Sequence, residues 1–127
     1  MRSVRRLAGV DLVDPRDDPA THVDRVGVTR ALDHGERDFV LVDVREPNEY
    51  EINQIPGSVL IPKGDFLNGS ALEKLPSDKQ IVMHCKSGVR SAETLAIVKG
   101  AGYTDAVHVG GGVVAWVNQI DPSQPSY

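Results

Sequence analysis

The second half of the chain alternates short apolar runs with segments of helical pattern. The run 39–44 is almost continuously apolar, which is typical of a strand buried on both faces of a parallel sheet. Similar runs bounded by glycine, proline or polar residues predict further strands at 58–61, 80–85 and 105–109. Helices are predicted at 90–99 and 113–120, with a helical turn at 71–75. The alternation predicts an α/β fold with a mostly parallel central sheet flanked by helices on both faces.

The first 27 residues show no clear apolar period. Turn residues and charges mix at 14–19, so residues 1–27 are interpreted as an arm or linker, and residues 28–127 as a single domain. A short helix is predicted from Val28 to Gly35. His22 and His34 lie in loop-like sequence and indicate no site.

Charge and composition exclude several classes of function. The net charge of -4 disfavours a nucleic-acid partner, which would require a basic surface. No apolar stretch approaches the ~20 residues of a membrane helix, and the basic start lacks the apolar run of a secretion signal. The single cysteine allows neither an internal disulfide nor a zinc site of several thiolates. We therefore expect a cytoplasmic protein without a membrane partner, because a free thiol fits a reducing compartment.

That cysteine, Cys85, stands where a predicted strand ends and a helix is about to begin. Ligand sites of open parallel sheets lie at the carboxyl ends of strands. Backbone N–H groups of the loop can surround the sulfur, and the next helix presents the positive end of its dipole. Such surroundings favour a nucleophilic thiolate. The predicted anion-stabilising loop consists of Lys86, Ser87, Gly88, Val89, Arg90 and Ser91, of which Lys86 and Arg90 add positive charge.

A lone cysteine is more often a small buried hydrophobe. A buried cysteine is expected in the middle of a strand or helix, so the position of Cys85 favours a catalytic role. His84 is a poor candidate base, because adjacent residues of a strand point to opposite faces. His108 could approach the site from a neighbouring strand, although a packing role is the more frequent one for such a histidine.

Asp43 and Arg45 share one face of their strand by the period of two. They could line a pocket, but an ion pair that supports the end of the strand is favoured, with Glu46 or Glu49 as a further partner. Gly111 and Gly112 are expected to allow a tight turn from strand to helix.

Three segments resemble the rhodanese-type sulfurtransferases. Cys85–Ser91 is similar to their active-site loop, and Gly111–Trp116 to their closing segment. The family commonly has Gly-His where Asn53 and Gln54 stand, in a segment that is mainly structural. The first characteristic segment is represented by Asp43-Val44-Arg45-Glu46, Glu49-Tyr50, Ile55-Pro56-Gly57-Ser58 and Ile61-Pro62.

The resemblance implies that Cys85 carries sulfane sulfur as a persulfide. The donor would be thiosulfate or the persulfide of a cysteine desulfurase, and the acceptor cyanide or a ubiquitin-like sulfur-carrier protein. The residues after Trp116 resemble the C-terminal rhodanese domains of bacterial adenylyltransferase–sulfurtransferases, which serve such carriers. No metal or organic cofactor is implied.

A cysteine–histidine hydrolase is disfavoured because neither His84 nor His108 is a favoured base, and two other functions compete. Cys85 followed by Arg90 is similar to the signature of tyrosine phosphatases and arsenate reductases, but four residues lie between them here, whereas those enzymes have five. The second alternative is a binding module without catalysis. Since inactive members of the family typically lack the cysteine, its presence favours catalysis.

Overall fold

A computed structural model of the chain describes the backbone of residues 22–23 and all of residues 39–125. The predicted helix from Val28 to Gly35 lies outside the described residues. So does the charged stretch at 14–19, and the boundary between arm and domain at residue 28 stays a prediction.

Within the described residues, five strands form one sheet in the order β1-β5-β4-β2-β3, and every neighbouring pair is parallel. The predicted parallel sheet is therefore confirmed. The strands are β1 (His22–Val23), β2 (Phe39–Asp43), β3 (Val59–Leu60), β4 (Gln80–His84) and β5 (Val107–Val109).

Helices connect the strands of the described region. The helices predicted at 90–99 and 113–120 and the helical turn predicted at 71–75 are present within one residue of their expected bounds. The helical elements are α1 (Pro47–Ile52), α2 (Lys63–Leu67), a 3-10 helix (Ser70–Lys74), α3 (Val89–Gly100) and α4 (Gly112–Gln119).

The sheet has a separate hydrophobic cluster on each face, as expected from side chains that alternate along a strand. Helix α4 contributes to one cluster, and α3 with α2 contributes to the other, so helices cover both faces. The α4 cluster includes Phe39, Leu41, Val82, Val107, Val109, Val113 and Trp116. The α3 cluster includes Val42, Val44, Phe66, Ile81, Met83, Cys85, Leu95 and Val98.

Three features differ from the sequence prediction. His22 was expected in a loop but begins β1, which pairs with β5 in parallel; two residues are too few to show an apolar alternation. Helix α1 was not predicted because none of its residues is buried, so no apolar stripe marks it. Helix α2 was not predicted either, because it has five residues, of which only Phe66 is buried.

No helix among the described residues is long and apolar enough to cross a membrane.

Candidate active site

Cys85 follows β4 directly and is almost completely buried, with 1% of its surface exposed. A buried cysteine was expected in the middle of a strand or helix, but Cys85 is buried just past the end of its strand. Cys85 packs in the α3 cluster, yet its sulfur lies at the carboxyl end of the sheet where the loop begins. Burial shields the sulfur from bulk water, so the groups around it define its surroundings.

The loop after Cys85 bends back towards the sulfur. The backbone N–H of Gly88 donates a hydrogen bond to Sγ over 3.0 Å. Gly88 has a φ of 115°, in the left-handed region that favours glycine, and it is the residue before the first turn of α3. The N-terminal end of α3 therefore directs its positive dipole at the sulfur. A hydrogen-bond donor and the positive end of a helix dipole are the kind of surroundings that can favour an anion on a sulfur.

A second helix begins at the same loop. The N–H groups of Val113 and Val114 donate to the carbonyl oxygens of Cys85 (2.8 Å) and Lys86 (3.1 Å). Gly112 lies so close to these two carbonyl oxygens that an added Cβ atom would be 2.4 Å from each of them. Gly111 and Gly112 have φ values of 76° and 61°, so the predicted tight turn is present. The first turn of α4 thereby holds the backbone that carries the sulfur.

Ser91 and His108 lie beneath the loop. The Ser91 hydroxyl is 3.6 Å from Cys85 Sγ, 3.2 Å from the carbonyl oxygen of Gly88 and 2.8 Å from Nδ1 of His108. Both residues are buried. The sequence indicated that His108 could approach the site but favoured a packing role. The distances place it one hydroxyl group away from the sulfur.

The two cations of the loop differ in their surroundings. Arg90 forms two parallel bonds with Glu49 of α1, at 2.6 Å and 2.9 Å between guanidinium nitrogens and carboxylate oxygens. Lys86 is half-buried, whereas Ser87 and Val89 are exposed. The sequence did not predict that Arg90 pairs with Glu49, because the partners lie 41 positions apart.

The predicted ion pair between Asp43 and Arg45 is present at 2.7 Å, with both side chains completely buried. Arg45 also donates from one terminal nitrogen to the side-chain oxygen of Asn53 (2.8 Å) and from the other to the backbone oxygen of Asn53 (2.7 Å). The amide of Asn53 in turn donates to the carbonyl oxygen of Pro125. Asn53, one of the two departures from the family pattern, is therefore part of the buried support of the β2 end.

His84 lies on the face opposite to Cys85, as the strand period predicts. Its Nε2 is 3.8 Å from the Asp43 carboxylate, and neither ring nitrogen has a hydrogen-bond partner within the described residues. Burial lowers the pKa of His84 from 6.5 to about 4, although the Asp43 charge opposes this shift. A neutral, buried imidazole on the other face is not the base for Cys85.

Comparison with known proteins defines the class. The model of the rhodanese-like domain matches residues 28–119, and the chain belongs to this family. The match includes the Cys85 loop, the buried Asp43–Arg45 pair and the start of α4.

Individual relatives agree with the family. The "Probable adenylyltransferase/sulfurtransferase MoeZ" of Mycobacterium tuberculosis is 52% identical over 76% of this chain. The matched region is only 24% of the length of that protein. A protein of Allochromatium vinosum named sulfurtransferase is 33% identical over 62% of the chain and 72% of its own length. The solved structure of the human single-domain sulfurtransferase TSTD1 superposes with a TM-score of 0.65 and 25% identity, over 79% of this chain and 97% of that one. These relatives support a sulfurtransferase role.

Proposed function

We propose that this chain transfers sulfane sulfur through a persulfide on Cys85. The observation that supports this most directly is the 3.0 Å hydrogen bond from the Gly88 N–H to Sγ at the start of α3. A donor in this place stabilises a thiolate, and it remains close to the additional sulfur of a persulfide anion.

The reaction consists of two displacements. The Cys85 thiolate attacks the outer sulfur of thiosulfate, so a new S–S bond forms while the bond to the sulfite group breaks, and sulfite leaves with the electron pair. An acceptor such as cyanide then attacks the outer sulfur of the persulfide. Its bond to Sγ breaks, thiocyanate leaves, and Cys85 returns as the thiolate. Each step keeps the same net charge, which the loop donors stabilise in both states.

Lys86 and Arg90 are proposed to contribute positive charge that attracts an anionic donor. Because Glu49 binds both terminal nitrogens of Arg90, we assign Arg90 mainly to the position of the loop and Lys86 to attraction. Ser87 and Val89 form the exposed rim that a donor or acceptor would contact. Asp43 and Arg45 support the end of β2 beside the site without touching the sulfur.

In the cell, the donor is proposed to be thiosulfate or a persulfide on a cysteine desulfurase, and the acceptor a ubiquitin-like sulfur-carrier protein. The name of the MoeZ relative joins adenylyltransferase and sulfurtransferase, and the family resemblance connects the C-terminal domains of that class with such carriers. A cytoplasmic location would agree with a free catalytic thiol.

A phosphatase is less well supported. Binding a tetrahedral oxyanion would need the arginine that ends the loop, and Glu49 occupies the guanidinium of Arg90. The loop also has one residue fewer than the phosphatase signature. A non-catalytic binding module would not need the hydrogen bond that Gly88 donates to the sulfur.

The direct test is intact-protein mass spectrometry after incubation with thiosulfate, followed by cyanide. We expect a gain of one sulfur atom, its loss on adding cyanide, and no gain in a folded Cys85→Ser variant. Sulfur uptake by Cys85→Ser, or no uptake by the wild type from thiosulfate or from a protein persulfide, would contradict the proposal.

A further inference from the structure

The persulfide cycle leaves two buried polar side chains, those of Ser91 and His108, without a task. Ser91 is completely buried, and His108 has 3% of its surface exposed. Their side chains are joined by a 2.8 Å contact between Oγ and Nδ1. A buried hydroxyl and imidazole are costly unless their hydrogen bonds are satisfied. Here both lie beside the only cysteine of the chain.

The parallel sheet explains how His108 reaches this place. Val107 and Val109 pack in the α4 cluster, so His108 between them points to the opposite face. Its register partner on β4 is Met83, which belongs to the α3 cluster together with Cys85. Helix α3 crosses that face and brings Ser91 between the histidine and the sulfur.

The hydroxyl of Ser91 has three polar neighbours but one proton to donate. When Cys85 is a thiolate, the hydroxyl serves the sulfur best by donating to it, and Nδ1 of His108 must then donate to Oγ. When Cys85 is a thiol, S–H donates to Oγ, and the hydroxyl proton can go to Nδ1. The charge on the sulfur and the proton on Nδ1 are therefore linked through one oxygen atom.

We propose that Ser91 and His108 form a proton relay that ionises Cys85. The S–H bond breaks as its proton goes to Ser91 Oγ, the original hydroxyl proton passes to Nδ1, and a thiolate and an imidazolium result. Ser91 contacts the reacting sulfur, whereas His108 acts through it as a positioning residue. In the second displacement, the same hydrogen bonds stabilise Cys85 as it leaves as a thiolate. This inference rests on the proposed function, which requires the thiolate.

Other charged groups surround the relay. Lys86 and the Arg90–Glu49 pair belong to the loop side, and the buried cluster of Asp43, Arg45 and His84 lies at the ends of β2 and β4. On the side of β1, His22 is in register with His108. These groups set the background charge, and Ser91 makes the direct contacts with both Sγ and Nδ1 of His108.

The relay is tested by following the ultraviolet absorbance of the thiolate against pH in the full chain, with Cys85→Ser as the blank. We expect Ser91→Ala and His108→Phe each to lower the ratio of thiolate to thiol about tenfold at a given pH, the effect of losing one hydrogen bond to a charged group. The double variant should lose no more than either single one. A thiolate fraction that stays at the wild-type value in these folded variants would overturn the relay.

Two further variants separate proton transfer from packing. The side chain introduced by His108→Asn can donate to Ser91 but cannot take up a proton, so this variant should keep the fold and still show the about tenfold loss of thiolate relative to thiol. Recovery of the wild-type thiolate fraction in His108→Asn would overturn the proton-accepting role. The control is Thr94→Val, which removes another buried hydroxyl of α3, one that bonds the carbonyl oxygens of Arg90 and Ser91; it should titrate like the wild type.

If the buried substitutions prevent folding, nitrogen NMR of the histidines in the wild type and in Cys85→Ala gives the same answer. Linkage is reciprocal, so removing the thiolate should make His108 about tenfold harder to protonate. An unchanged His108 titration would contradict the relay. Neither titration uses a sulfur donor. If Cys85 and His108 titrate together but no sulfur is taken up, the relay stands and the proposed function is refuted. If sulfur is taken up but the titrations are independent, the proposed function stands and the relay is refuted.

Discussion

Gly112 shows why one residue of the site has to lack a side chain. Its backbone has a φ of 61°, and an added Cβ would be 2.4 Å from the carbonyl oxygens of Cys85 and Lys86. The neighbours that such an atom would meet are backbone, so they can move only if the loop moves. The same close approach allows Val113 and Val114 to bond those oxygens.

We predict that Gly112→Ala lowers the free energy of unfolding by about 2–4 kcal/mol, from the left-handed backbone and the enforced shift of the loop. Sulfur uptake from thiosulfate should fall as well, because the carbonyls that anchor Cys85 lose their donors. Urea unfolding and the mass-spectrometric assay measure the two effects.

Gly100→Ala is the matched control. Gly100 ends α3, and an added Cβ would meet no atom within 4 Å. Alanine there should leave uptake unchanged and alter stability by no more than about 1 kcal/mol. Equal stability of the Gly112→Ala and Gly100→Ala variants would refute the steric argument.

Single residues were predictable where local order decides their position. Cys85 and the loop follow from a strand, a glycine and a helix in sequence, and the pair of Asp43 and Arg45 follows from the strand period. The link from Arg45 through Asn53 to Pro125 joins segments 72 positions apart, which no local pattern encodes. For His108, the strand period gave the face, but its contact with Ser91 depends on how α3 crosses the sheet.

At the scale of elements, α1 is joined to the active-site loop by one carboxylate. Glu49 accepts the backbone N–H of Glu46 at the start of α1 and also binds both terminal nitrogens of Arg90. The side chains of the pair are 29% and 13% exposed, so water screens it only in part. The short helix α1 therefore holds the first turn of α3 in place. Gly88, whose N–H donates to the sulfur, directly precedes that turn.

We predict that Arg90→Ala and Glu49→Gln each reduce sulfur uptake from thiosulfate, and that the double variant is no worse than the more affected single one. In urea unfolding, the double-mutant cycle should give a coupling of about 1–2 kcal/mol, as expected for a two-bond, partly buried pair. If Arg90 acted only by attracting the donor, Glu49→Gln would release the positive charge of Arg90 from its carboxylate partner. Sulfur uptake would then equal or exceed that of the wild type.

The pair of Lys74 and Asp65 provides the control cycle. Its side chains are 54% and 31% exposed at a distance of 3.0 Å, and solvent screening should limit its coupling to about 0–0.5 kcal/mol. A coupling as large as that of Arg90 and Glu49 would show that the two-bond geometry adds nothing.

The strands β2 and β4 were predictable because burial on both faces makes them apolar throughout. Helices α3 and α4 were predictable because each buries one face against the sheet. Helix α1 was not predictable from hydrophobic patterning. It is stabilised by Pro47 in its first turn, by the cap at Glu46 and by the contact of Glu49 with Arg90. These contributions are local polar chemistry and a tertiary ion pair, and hydrophobic patterning detects neither.

At the scale of the whole molecule, the carboxyl ends of β2 and β4 concentrate charge inside the fold. The Asp43–Arg45 pair is completely buried beside the equally buried His84. Gln124 closes this end from outside, as its side-chain amide bonds both the N–H and the carbonyl oxygen of Gln54. The ends of the central strands therefore hold a polar cluster in which the protonation of His84 depends on folding.

His84 makes the stability of the whole fold depend on pH. Its pKa is about 4 when folded and 6.5 as the unfolded reference, so between these values the unfolded chain binds a proton that the folded chain excludes. The free energy of unfolding attributable to this group is complete above about pH 6.5 and falls by about 3 kcal/mol as the pH drops to about 4. We predict that the stability difference between wild type and a His84→Gln variant, measured by urea unfolding, shrinks by that amount across the window and then stays level. A difference that is constant from pH 7 to pH 4 would show that His84 accepts its proton in the folded state as readily as in the unfolded one, so that burial had no effect on it.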